Sequence, residues 1–89
     1  MLIEFNQDID INGYKATGQF IKFHAKTGHC YPVVRIILRK NKSIADIYFK
    51  NPDNRYPFLA IVCENVPTTL FEISQNKHNE IEIDESLDD

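Results

Sequence analysis

VVRIILRKNKSIADIYFK, residues 33–50, folds back on itself around Asn41 and Lys42 with its two arms matching residue for residue. In that register Val34 faces Phe49, Ile36 faces Ile47 and Leu38 faces Ala45, so one side is apolar throughout. The other side pairs Val33 with Lys50, Arg35 with Tyr48, Ile37 with Asp46 and Arg39 with Ile44. Directly opposed residues of an antiparallel pair share a face. One two-residue turn therefore separates a face for burial from a basic, aromatic face, and an antiparallel β architecture follows.

On the N-terminal side, Asn12-Gly13 is the strongest short hairpin signal, because both residues tolerate the positive φ of a type I′ turn. A turn there opposes Ile11 with Tyr14, Ile9 with Ala16 and Phe5 with Phe20, and sets Asp10 against Lys15 on the polar side. Ile21 and Phe23 then fall on the polar side, which a bulge at Gly18 would correct. Lys26-Thr27-Gly28 reads as the next turn.

On the C-terminal side, Asn51-Pro52-Asp53-Asn54 is a dense turn cluster. Residues 56–63 are apolar at both parities, as a strand covered on two sides requires, with Pro57 at its entrance. Residues 68–75 suit a short helix, through a capping box of Thr69 with Glu72, or a strand, and strand is the closer fit. Glu80 to Asp84 alternates as an edge strand with Ile81 and Ile83 inward, its outward carboxylates discouraging edge-to-edge pairing. Residues 85–89 read as an acidic flexible tail. The expectation is an all-β fold, a small antiparallel barrel or sandwich of six to seven strands built from consecutive hairpins. It leaves room for one short helix near 68–75, in a single domain over residues 1–84.

Eighty-nine residues hold one thin core, since a chain of this size buries roughly 64% of its extended surface. A hydrophobic share of 43% is ordinary for a globular chain and too high for a disordered one. The net charge of −3 conceals a dipole. Residues 35–55 hold Arg35, Arg39, Lys40, Lys42, Lys50 and Arg55 against Asp46 and Asp53, whereas Lys77 is the one base among the eight acids of residues 64–89. The longest apolar run, residues 58–63, is too short to span a membrane. With no signal-peptide pattern and only Cys30 and Cys63, a reducing cytoplasmic setting is expected, and a Cys30–Cys63 bridge is left open.

Catalytic patterns are missing from the sequence. Ser43, Ser74 and Ser86 stand in no nucleophile elbow, and Gly13, Gly18 and Gly28 form no phosphate loop. His24, His29, Cys30, Cys63 and His78 lack metal-ligand spacing. The expectation is a protein without enzyme activity, metal or cofactor.

Two readings of function follow. The first is a small macromolecule-binding module, of inhibitor or immunity type, acting on a protein partner. Glu80, Glu82, Asp84, Asp88 and Asp89 would steer a basic partner, and an exposed ring such as Tyr14 would supply the anchor. The second is single-stranded nucleic-acid binding on the outer side of the middle hairpin. Arg35, Arg39, Lys50 and Arg55 would meet phosphates, and Tyr48 and Tyr56 would stack on bases, with Tyr31 in the same cluster. Net negative charge weighs against the second. Pairing of an edge strand between two copies would give a homodimer.

Overall fold

The computed structural model describes residues 1–15, 17–50, 61–75 and 81–83. They form β1 (Leu2–Phe5), β2 (Ile9–Lys15), β3 (Phe20–Ala25), β4 (Cys30–Arg39), β5 (Ile44–Phe49), β6 (Ile61–Pro67), β7 (Phe71–Gln75) and β8 (Ile81–Ile83), with a 3-10 turn at Thr68–Leu70. Seven strands make one curled antiparallel sheet, a half-barrel, in the order β3-β2-β6-β5-β4-β1-β7. The barrel-like form holds and the sandwich does not. Residues 68–75 form one 3-10 turn leading into a strand.

The middle hairpin forms in the expected register for Arg35 with Tyr48, Ile36 with Ile47, Ile37 with Asp46, Leu38 with Ala45 and Arg39 with Ile44. Its turn is tight. Ser43 N–H donates to Lys40 O at 3.1 Å across Asn41 and Lys42, which lie at φ 54° and 65° after Lys40 at 50°. Two central residues of positive φ are what a right-twisted ribbon prefers. Thr68 holds the turn from outside, its N–H donating to Ser43 O at 3.0 Å and its hydroxyl to Lys42 O at 2.8 Å.

The expected register fails at the open end. A bulge between Val33 and Arg35 sets Val33, not Val34, against Phe49. Val33 is buried and Val34 is 42% exposed. A bulge adds a residue to one strand and increases the local twist, which turns this end of β4 toward β1. The ten residues of β4 then serve three neighbours. One edge follows β5; the other takes β1 at residues 30–32 and β8 at residues 36–38. The β8 pairing is parallel, unlike the all-antiparallel expectation. Ile81 is half-buried, but Ile83 is 53% exposed rather than inward. It sits beside Leu38 near the turn, where Leu38 itself is only half-buried and the core thins.

The first hairpin is not where Asn12-Gly13 places it. β2 runs straight through both residues and pairs with β3 from Ile9 with Ala25 to Tyr14 with Phe20. The chain reverses between Lys15 and Gln19, with Gly18 N–H donating to Lys15 O at 2.8 Å and Lys15 N–H to Gln19 O at 2.9 Å. Gly18 takes the left-handed backbone at φ +90°, but it ends this turn rather than bulging a strand. A turn at Asn12-Gly13 would leave three residues of β2 before it. The continuous strand makes a full ladder with β3 and also meets β6 through Tyr14 with Val62 and Lys15 with Ile61. Gly13 acts through its missing side chain instead. A Cβ there would stand 2.8 Å from Val62 O and 2.9 Å from Cys63 Sγ. Glycine permits β2 to lie close against β6.

The core fills the concave side. Ile3, Phe5, Ile36, Ile47, Cys63 and Val66 are fully buried, each large apolar side chain contributing about 1.5–3 kcal/mol. Phe23 of β3 stacks on Phe49 of β5 at 4.2 Å, and Phe5 of β1 lies 6.4 Å from the same ring. Strands from distant parts of the sheet thus meet over Phe49, which is the physical content of the curl. Ile21 and Phe23 return to the core side with no bulge needed, because the register itself differs.

Two substitutions probe this backbone. Gly13→Ala should lower stability by about 1–3 kcal/mol through overpacking. Lys42→Gly should raise it by roughly 1 kcal/mol by relieving a left-handed non-glycine residue. Urea unfolding of each variant measures both, and opposite signs are expected.

Candidate docking face

Cross-strand partners point to the same side of a sheet, so the strand registers define a row across the convex side. Phe20 pairs with Tyr14, Tyr14 with Val62, Val62 with Tyr48, and Tyr48 with Arg35. The row crosses β3, β2, β6, β5 and β4 in turn. Phe20, at its head, is 84% exposed. Val62, between the two tyrosines, is only 7% exposed although it lies outside the core cluster. Arg35 ends the row with its guanidinium carbon 5.0 Å from the Tyr48 ring centroid, a cation–π arrangement.

Polar groups frame the row. The Tyr14 hydroxyl donates to Glu64 Oε1 at 2.6 Å. That bond, with burial and the Glu64 charge behind it, pushes the phenol up to about 12. One rung further, Arg39 Nη2 meets Asp46 Oδ1 and Asn65 Oδ1, each at 2.6 Å, and Asn65 N–H donates to Asp46 Oδ1 at 3.1 Å. These three groups close the irregular stretch of β6 where Asn65 takes φ 57°. Toward the other end of β2, Asp10 pairs with His24 at 2.6 Å, both exposed.

The structure distributes the sequence-selected residues unevenly. Tyr14, Tyr48 and Arg35 join one row. Arg39 is engaged by Asp46, its side chain 16% exposed, so it braces β6 instead of standing out as a phosphate contact. Lys50 is exposed just past β5, its N–H donating to Pro32 O at 3.0 Å. Tyr31 leaves the basic face altogether. Its ring lies 5.2 Å from Phe23 and 6.0 Å from Phe5 on the core side, and its hydroxyl accepts from Lys26 N–H at 2.9 Å. Glu82 lies on β8; Glu80, Asp84, Asp88, Asp89, Arg55 and Tyr56 fall outside the described residues, as do the turn at residues 51–54 and the tail.

Phe20, Val62 and Glu64 are the members that sequence reading passed over. The hairpin placed at Asn12-Gly13 sent Phe20 inward against Phe5, and only the true register turns it out. Cys63 is wholly buried, and burial pushes its thiol up to about 11. Cys30 is exposed, and both cysteines are free, so the bridge left open does not form. Among the described residues, no three His, Cys, Asp or Glu side chains gather where a metal ion could be held. No described helix is long and apolar enough to cross a membrane.

The Glu64 bond favours the neutral phenol, so its stabilising effect is whole below the ordinary tyrosine value of 10.0 and is lost as pH rises toward about 12. Phenolate absorbance should show one of the four tyrosines ionising last. Glu64→Gln should bring it back toward the ordinary range, and Tyr14→Phe should remove that step. No family model matches the chain, and no curated protein and no solved structure matches it either.

Proposed function

We propose that the protein is a non-catalytic binding module of inhibitor or immunity type that docks a protein partner on the convex row. The observation that carries this reading is Phe20, 84% exposed at the head of a cross-strand row that also holds Tyr14, Tyr48 and Arg35. Single exposed apolar residues are ordinary on protein surfaces. An exposed ring in register with Tyr14, Tyr48 and Arg35 on one face is a different matter, because Tyr and Arg are the side chains that dominate interface energetics. The strands beneath are hydrogen-bonded on both sides for most of the row, so the backbone that carries the rings needs little ordering on binding. Blocking a partner requires only occupancy, and no reactive group is asked for.

Single-stranded nucleic acid is the competing ligand, supported by the same rings and by Arg35 over Tyr48. Two features weigh against it. Arg39 is neutralised by Asp46, and Glu64 places a carboxylate beside Tyr14 where a phosphate chain would pass. Backbone affinity for nucleic acid comes from cations along the path.

A photo-reactive phenylalanine analogue placed at Phe20, with a control at Ile73 on the far edge strand, tests the reading in the native host. A defined protein adduct at Phe20 but not Ile73 is expected, with the complex weakened at least tenfold by Tyr14→Ala. Labelled oligo-dT should show no binding at low salt. Tight binding with a steep salt dependence, lost in Arg35→Ala with Tyr48→Ala, would replace this reading with the nucleic-acid one.

A further inference from the structure

Asn12, Gly13, Tyr14, Phe20 and Glu64 line a shallow cleft of about 230 Å³ at the β2–β3 end of the row. Its walls are chemically selective. Phe20 and Tyr14 stand opposite each other in the register, and Glu64 lies on the far side of Tyr14, engaged through Oε1 by the Tyr14 hydroxyl. Among the described residues, no Lys or Arg lines the cleft; Lys22 belongs to the next outward rung, opposite Asn12.

Each class of occupant meets these walls differently. An anion would be repelled by Glu64. A purely apolar group would cover the carboxylate without offering it a donor, which is costly. A cation is attracted by the ring faces and can pair with the carboxylate. The planar guanidinium of arginine suits both at once, stacking on a ring while presenting its edge to the carboxylate. The volume is below the roughly 300–1,000 Å³ of small-molecule pockets, and it has room for one long side chain.

We infer that this cleft receives an arginine side chain of the protein partner. The inference rests on the docking reading above and names the chemistry at one end of the row. It also agrees with the acidic C-terminal third, which would draw a basic partner toward this chain.

The test uses the whole protein, ¹⁵N-labelled, titrated with blocked Gly-Arg-Gly and with the same peptide carrying citrulline, a neutral isostere of arginine. Amide shifts should concentrate at Asn12, Tyr14, Phe20 and Glu64, with a dissociation constant on the order of millimolar for so small a probe. Citrulline, Glu64→Gln and Phe20→Ala should each weaken binding about tenfold or more. Both variants alter exposed side chains, and the dispersion of the same spectra reports whether they are folded. Shifts spread over the surface, or equal for citrulline, or unchanged by both variants, would overturn the inference. Capture of a protein at Phe20 together with a failed arginine titration overturns the arginine cleft and leaves the docking reading standing. A successful titration with no adduct at Phe20 supports the cleft chemistry and removes the docking reading.

Discussion

The contact of β2 with β6 at Gly13 is the constraint on which the rest depends. A methyl group there would collide with Val62 O at 2.8 Å and Cys63 Sγ at 2.9 Å. Without it, β2 lies close enough for Tyr14 to pair with Val62 and Lys15 with Ile61. Among the described residues, that joint is the strand pairing that ties the β2–β3 ribbon to the rest of the sheet. From it the ribbon swings over the core until Phe23 stacks on Phe49. The seating of Phe23 in the core and the passage of the outer row from β2 to β6 both depend on this close approach.

Pleating then assigns roles. Along β2, Ile9, Ile11 and Gly13 turn to the concave side, and Asp10, Asn12 and Tyr14 turn outward. The same alternation in β5 sends Ala45, Ile47 and Phe49 in and Ile44, Asp46 and Tyr48 out, as the burial of alternate residues shows. Aromatic rings are thus used on both sides for different ends. Phe5, Phe23, Tyr31 and Phe49 gather inside, each close pair adding about 0.5–1.5 kcal/mol beyond simple burial. Tyr14, Phe20 and Tyr48 stand on the surface, where they contribute less to the fold and are available for contact. On the outer side, Arg39 with Asp46 and Asn65 braces an irregular strand, while Glu64 accepts from the Tyr14 hydroxyl.

Much of this is legible in the chain, and its limits have physical causes. The middle hairpin can be read because its two arms carry complementary apolar parity and a short polar turn, both local properties. The reading fails only at Val33 and Val34, where a bulge at the junction of β4 with β1 shifts the register. Asn12-Gly13 misleads because glycine serves two purposes, positive φ in a turn and close approach in a strand, and a single sequence does not say which. The true type I′-like turn, at Asn41 and Lys42, contains no glycine at all. The outward row is half visible. Tyr14, Tyr48 and Arg35 stand out from local pattern, but Phe20, Val62 and Glu64 join them only through the placing of β2 against β3 and β6. Tyr31 is misplaced for a different reason: the bulge between Val33 and Arg35 shifts the alternation of β4, so Tyr31, near the basic residues in sequence, lies on the other side of the sheet.

Cross-strand nuclear Overhauser effects test the joint directly. Short backbone proton distances are expected between Tyr14 and Val62 and between Tyr14 and Phe20, with Gly13 in extended geometry. Strong contacts between Ile11 and Tyr14 across a reversed chain, with those to Val62 missing, would contradict the Gly13 joint and dissolve the aromatic row.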